Sequence, residues 1–171
     1  MKLLALLLIP VFSFAQSKLD TVSLLNGKVK LLAPKELSSM TDQMWIAKYQ
    51  KRPRPMMVLS DKEGEVNLIA DMTQQPATEN QIASFKDFQL KQLKAKRPDL
   101  ALLSEGIKTV NGKKVGYLKF LTQAVDQKVF NYYFFCIVDG EVLFFSFNCI
   151  EKIQKEWEST ADTIVATLLV K

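Results

Sequence analysis

Cys136 and Cys149 are the only thiols in this 171-residue chain, and it contains no histidine. Without imidazole, the usual acid/base group near neutral pH and the commonest metal ligand are both missing, so a serine, threonine or cysteine nucleophile has no ordinary base to activate it. Carboxylates are the remaining candidates. Asp61, Glu63, Glu65, Asp71, Asp139 and Glu141 fall at strand ends or turns, where acids collect because they are solvated and hydrogen-bond locally. Spacing of that kind does not define a glycosidase-like pair. The acids of DKEGE are too few for a calcium loop, which needs ligands over about twelve positions between two helices. There is no CxxC and no glycine-rich phosphate loop. The residues therefore imply no enzyme, no cofactor and no metal, with a carboxylate-based hydrolase as the remote alternative.

The densest charge is basic. In KYQKRPRP, Lys48, Lys51, Arg52 and Arg54 follow Trp45 closely. One reading is a solvated helix end running into a proline-stiffened connection, since cations favour helix C-termini and a residue before proline leaves helical space. The other is a contact site for an anion or acidic partner, and these five residues are the candidate partner-binding set. The formal charge of +5 falls to +4 once Lys2 is discounted. That is not the concentrated positive field of a nucleic-acid binder.

The elements that position these groups follow from pattern. MKLLALLLIPVFSFAQS has one positive charge, an apolar run from Leu3 to Phe12, and Ser13 and Ala15 around Phe14. This is the layout of a secretory signal peptide over residues 1–15, cut between Ala15 and Gln16. It is shorter than the ~20 apolar residues that span hydrocarbon. No cysteine lies near the cut to accept a lipid. The expectation is an exported protein, periplasmic or extracellular, with no stable membrane insertion and one domain over residues 16–171. The remaining length suits a single core.

Asn26-Gly27 between short apolar runs predicts a hairpin, with Pro34 ending its second strand. Met40, Met44 and Ala47 at helical spacing predict a short helix from Thr41 to Gln50, capped by Ser39 or Thr41. Strands are expected over 56–60 and 65–71. Thr78 and Gln81 form a capping box for a helix with Ile82, Phe85, Leu90 and Leu93 on one face. From Leu102 an antiparallel meander runs through Asn111-Gly112, residues 124–127 and Asp139-Gly140, because tight turns exclude parallel pairing. Ile153, Trp157, Ala161, Ile164 and Leu168 then recur at helical spacing.

The last hairpin, FNYYFFCIVDGEVLFFSFNC, is apolar on both faces. An Asp139-Gly140 turn pairs Val138 with Glu141 and Phe130 with Cys149. One face then carries Phe130, Tyr132, Phe134, Cys136, Leu143, Phe145 and Phe147. The other carries Tyr133, Phe135, Ile137, Val142 and Phe144, with polar Asn131, Ser146 and Asn148 towards the open end. An antiparallel sheet with a wet face alternates cleanly, so this hairpin requires cover on both sides. The register also places Cys136 and Cys149 ~20 Å apart along the ladder, far beyond the about 7 Å a disulfide allows. They are read as free, buried thiols. The strands are too charged and too few for a transmembrane barrel.

The order of a hairpin, a "P" and short helix before "RP", a strand pair, a long helix, then "VNGKKVGYLKF" and "YYFFCIVDGEVLFFSF" closed by a helix resembles the PsbP/DcrB-like superfamily. That resemblance covers nearly all of the chain after the leader and implies an α+β fold, an antiparallel sheet of about six to eight strands with helices on both faces. It also implies a role in binding and assembly, and it transfers no functional residue. The resulting expectation is an exported, non-enzymatic module that engages a protein or peptide through a sheet edge or a groove between sheet and helix. A carrier of a small hydrophobic ligand or lipid is the alternative, motivated by the surplus of aromatics.

Overall fold

The computed structural model describes residues 18–171 except Lys51, so the leader and its cleavage point lie outside the described residues. The chain runs β1 (Leu19–Leu24), β2 (Val29–Pro34), β3 (Ser38–Ser39), α1 (Asp42–Tyr49), β4 (Met57–Ser60), β5 (Val66–Pro76) and α2 (Ile82–Lys96). It continues through β6 (Ala101–Val110), β7 (Lys113–Gln123), β8 (Lys128–Val138), β9 (Glu141–Ile150), α3 (Gln154–Ala166) and β10 (Leu169–Val170). Seven strands form one sheet in the order β3-β4-β5-β9-β8-β7-β6, and β1-β2-β10 form a second. Every pair is antiparallel.

The β8–β9 hairpin has the register its turn dictates, Val138 opposite Glu141 and Phe130 opposite Cys149. Asp139 and Gly140 both take positive φ, as a tight two-residue hairpin turn requires. The Phe130–Phe147 face is fully buried and shares a core with Val29, Leu31 and Ala33 of β2 and Ala161, Ile164 and Val165 of α3. Each such large side chain contributes about 1.5–3 kcal/mol of burial. The opposite face is covered in two places. Ile82 and Phe85 of α2 pack on Phe135 and Val142 near the turn, while Trp45 and Met40 pack on Val58 at the β4 side. Both faces are thus roofed, one by α3 with the small sheet and the other by α1 and α2.

Four local details depart from the sequence reading. Leu24 faces Val29, the register an Asn26-Gly27 turn implies, but Leu25 and Lys28 leave the ladder for a single 3-10 turn. The buried side of α1 is carried by Trp45, with Met44 and Tyr49 half-buried, whereas Ala47 is exposed. The larger ring outcompetes the small alanine for the apolar contact with Val58. β5 extends to Pro76 because it continues beside β9 as far as Glu141, across an irregularity between Met72 and Pro76. The chain also ends with β10, which pairs Leu169 with Lys30 and Val170 with Val29.

At Gly116 of β7 the sheet beneath α2 has no room for a side chain. A Cβ there would run into the Phe135 ring and come within 3.2 Å of Ile82 Cγ2. Gly116→Ala is therefore expected to lose about 1–3 kcal/mol of stability by overpacking. Urea unfolding measures it, and an unchanged midpoint would show that α2 rides loosely on the sheet.

Candidate functional site

On the face that bears α1 and α2, strand register aligns polar side chains in a row. Ser60 lies opposite Asn67, Asn67 opposite Asn148, and Asn148 opposite Asn131. Ser60, Asn67 and Asn131 are buried and Asn148 is half-buried. Asn67 Nδ2 donates to Asn148 Oδ1 at 2.9 Å and to the Gly64 carbonyl at 3.1 Å. Asn131 Nδ2 donates to Thr122 Oγ1 and to the Val129 carbonyl, both at 3.1 Å. Asn67 Oδ1 is buried and has no partner among the described residues. An unsatisfied buried acceptor of this kind costs about 1–3 kcal/mol.

The next row towards the turn is Ile69, Ser146, Tyr133 and Leu118. Its first three members are only half-buried, as is Phe144 beside them. The Tyr133 ring meets Phe120 at 4.9 Å and Phe144 at 5.0 Å, both edge-on. Phe144 in turn stacks at 5.8 Å on Phe135. A chain of aromatic rings therefore runs from Phe120 through Tyr133 and Phe144 to Phe135 beneath α2. Burial raises the Tyr133 pKa, opposed by the charge of Arg97, a hydrogen bond with Ser146 and the charge of Arg52. Its phenol is protonated near neutral pH.

The rim on one side is α1. Thr41 caps it, its Oγ1 accepting from Met44 N–H at 3.2 Å. Trp45 stacks on Tyr49 at 4.2 Å and donates from its indole N–H to the Arg52 carbonyl at 3.2 Å. Arg54 sits 5.8 Å from the Trp45 ring, donates to Asp42 Oδ1 at 3.0 Å, and also donates to the Met40 carbonyl. Lys48 Nζ donates to the Gly64 carbonyl; burial lowers its pKa, with Asp61 and Glu65 pulling the other way.

Of the five candidate residues, Trp45, Lys48 and Arg54 thus fasten α1 to the sheet and its turns. Lys51 lies outside the described residues. Arg52 is exposed, has no carboxylate partner among the described residues, and is near enough to Tyr49 and Tyr133 to oppose their burial.

Arg97, just past α2, marks the other rim. Its guanidinium holds Asp99 through two bonds of 2.9 and 2.7 Å. Asp99 also accepts the Gln123 N–H at 2.6 Å, and Arg97 with that N–H keeps its carboxyl well below the usual range. Arg97 is therefore already neutralised, whereas Arg52 is not. Sequence reasoning noted Asn131, Ser146 and Asn148 at the hairpin's open end but missed Asn67, Tyr49 and Arg97. Asn67 joins only through the β5–β9 pairing, which links residues 81 apart in the chain.

On the opposite face the titratable groups are matched among themselves. Lys119 bridges Glu158 at 3.1 Å and Asp162 at 2.9 Å, 4.7 Å from the Tyr132 ring. Lys108 donates to the Tyr132 hydroxyl at 2.9 Å. Burial would lower the Lys119 pKa, but its bonds to Asp162 and Glu158 raise it overall. This cluster fastens α3 to the sheet.

An antiparallel sheet roofed by helices on both faces, with a small second sheet against one of them, defines an α+β protein of the PsbP-like fold. Cyanobacterial PsbP (CyanoP) from Synechocystis sp. PCC 6803 is similar over 96% of this chain and 99% of its own, at TM-score 0.66 and 15% identity. LpqN of Mycobacterium tuberculosis, involved in cell envelope biogenesis, is similar over 90% of this chain and 91% of its own, at 0.60 and 10%. PA94 of Pseudomonas aeruginosa is similar over 90% and 97%, at 0.57 and 15%. At such identities the likeness is one of fold. Neither a family model nor a curated protein matches the sequence.

The thiols sit within this fold as buried groups. Cys136 and Cys149 are free, and burial pushes each pKa up to about 12, with nearby Lys113 opposing it at Cys136. Thiolate is the reactive form, so both are shielded and un-ionised. A thiol reagent is expected to titrate neither cysteine in the native protein at pH 8 and two after denaturation. Rapid native labelling would contradict the burial.

Proposed function

We propose that the chain is an exported, non-enzymatic binding and assembly module that engages a protein or peptide partner. The observation that carries this reading is the half-open polar and aromatic strip between α1 and α2, edged by the uncommitted Arg52. Buried polar groups in a sheet face cost stability unless satisfied, and an external partner supplies what the chain does not. The opposite face is filled, its aromatic side chains fully buried against β2 and α3. That favours recognition on the α1/α2 face over a carrier's enclosed cavity between the sheets.

The apolar leader supports export, and among the described residues no helix is long and apolar enough to cross a membrane. The lack of histidine and the un-ionised thiols support a non-catalytic role. LpqN's involvement in cell envelope biogenesis fits a module working in that compartment.

The test is affinity capture by the chain from residue 16 onward from its native envelope, alongside Arg52→Glu. Arg52 is exposed, so this variant is expected to keep its Tm while losing at least ~90% of the recovered partner, a tenfold effect. A partner recovered equally by both would move the interface elsewhere. A lipid or small apolar molecule co-purifying one to one would favour the carrier.

A further inference from the structure

β6 ends the main sheet on one side and β3 ends it on the other. β3 is two residues long, whereas β6 has ten. An edge strand offers unpaired N–H and C=O groups to any other strand, and proteins usually blunt it by shortness, proline or charges set along it. β6 contains no proline. Its two charged side chains are both drawn off the edge: Glu105 takes Lys86 of α2 at 2.5 Å, and Lys108 donates to the Tyr132 hydroxyl at 2.9 Å on the opposite face. The irregularity between Leu102 and Ser104 disturbs only its start, and pairing with β7 is continuous from Ser104 to Val110.

The hairpin turn decides which backbone groups are free. Asn111 and Gly112 take positive φ, and a two-residue turn of that kind bonds its closing residues, Val110 and Lys113, to each other. Alternation then turns Lys108, Gly106 and Ser104 towards β7 and leaves Thr109, Ile107 and Glu105 with N–H and C=O directed away from the sheet. Lys114, opposite Thr109, donates its N–H to Glu79 Oε1 at 2.8 Å and not to β6, as that alternation requires. All three outward residues are exposed. They recur at about 6.7 Å, two strand rises, which is the repeat of any extended chain. Each can therefore exchange both of its bonds with every second residue of an incoming strand.

The surroundings select that strand. Leu102, Leu103 and Ile107 are exposed apolar side chains along β6. Lys86 reaches Glu105, and Leu90 and Lys94 follow it at four-residue spacing on the same side of α2. α2 carries Lys86, Lys91, Lys94 and Lys96 against Asp87. Lys86 is held by Asp87 at 2.8 Å and by Glu105, while the other three have no carboxylate partner among the described residues. A second copy added across β6 by a two-fold axis would set its own α2 on the same face, lysine towards lysine. A strand bearing carboxylates meets attraction there instead.

We propose that β6 accepts an extended acidic segment of another protein as an eighth strand of the main sheet, bonded through Glu105, Ile107 and Thr109. Apolar side chains of the segment lie beside Ile107 and Leu102, and a carboxylate is directed towards Lys94. This surface is separate from the strip between α1 and α2, so the inference goes beyond the reading given above.

The probe is a library of random dodecapeptides displayed on phage and selected against the chain from residue 16 onward, followed by anisotropy with the best synthetic peptide. Selected sequences are expected to alternate apolar residues with Asp or Glu. Amide exchange followed by NMR is expected to slow about tenfold or more at Glu105, Ile107 and Thr109 when that peptide saturates the protein. Methylating the alternate peptide nitrogens that face β6 is expected to weaken binding about tenfold or more, and methylating the complementary set to change it less than about twofold. Ile107→Pro removes an outward donor without touching a bond to β7, and is expected to weaken binding about tenfold as well. Arg52→Glu is expected to leave it unaltered.

The two methylated peptides need no protein variant, so they decide the question even if Ile107→Pro folds poorly. Equal effects of the two sets, unprotected β6 amides, or selection of basic sequences would overturn the proposal. A dimer that Ile107→Pro disperses would overturn it also, by placing a second copy on the edge. If envelope capture is Arg52-dependent while the peptide arm fails, the role of the strip stands and the β6 reading falls. If the peptide arm succeeds while that capture fails, the β6 reading stands and the strip loses its role.

Discussion

The Asp139-Gly140 turn fixes Val138 against Glu141, and the rest of the main sheet inherits that alignment. A slip of one residue would exchange the two faces of β8 relative to β9. It would set the fully buried Phe130, Tyr132, Phe134 and Cys136 against the polar-ended side, and no roof fits that arrangement. Phe134 stacks on Phe145 at 4.6 Å and nearly parallel, a contact available in the observed register. The other turns are subordinate. Asn111-Gly112 has the same positive-φ pair, but it joins β6 at the sheet edge, where misalignment would cost less burial.

Double-sided burial also explains why the helices differ. α3 lies over the aromatic and aliphatic β8 and β9 side chains and buries Ala161, Ile164 and Val165 completely. Its polar flank is joined to Lys119 and Lys108 through Glu158 and Asp162. Ion pairs of this partly buried kind roughly break even in stability, so their effect is chiefly to set where α3 sits. α1 and α2 meet a sheet face that is apolar only at its two flanks. α2 therefore buries a single residue fully, Ile82, and α1 only Trp45. The strip between them stays half-covered because neither helix has an apolar reason to close over Ser146, Asn148 and Asn131.

Much of this was legible in the sequence because it depended on local rules. The capping box at Thr78 and Gln81, the two positive-φ turns and the alternation along β8 and β9 each involve residues near in the chain. The structure reproduces them, with Thr78 N–H donating to Gln81 Oε1 at 2.8 Å. Free cysteines followed from register arithmetic alone. What escaped depended on partners far apart. β10 is two residues long and has no period to read; it exists because β2 offers an edge beside Val29 and Lys30. Trp45, read from the sequence as a candidate contact residue, also holds α1 in place, its indole N–H donating to the Arg52 carbonyl and Arg54 lying over its ring.

The asparagine row is the hardest feature to account for by folding alone. Asn67 is almost wholly enclosed, at 2% exposure, and flanked along β5 by fully buried Val66 and Leu68 on the other face. A valine at Asn67 would suit strand geometry and remove an unpaired acceptor. Asn148 and Asn131 occupy the neighbouring central strands β9 and β8. Asn67 is tied to the β4–β5 turn through the Gly64 carbonyl, while Asn131 bonds within the sheet to Thr122 and Val129. Their satisfied halves point into the protein's own backbone and one another.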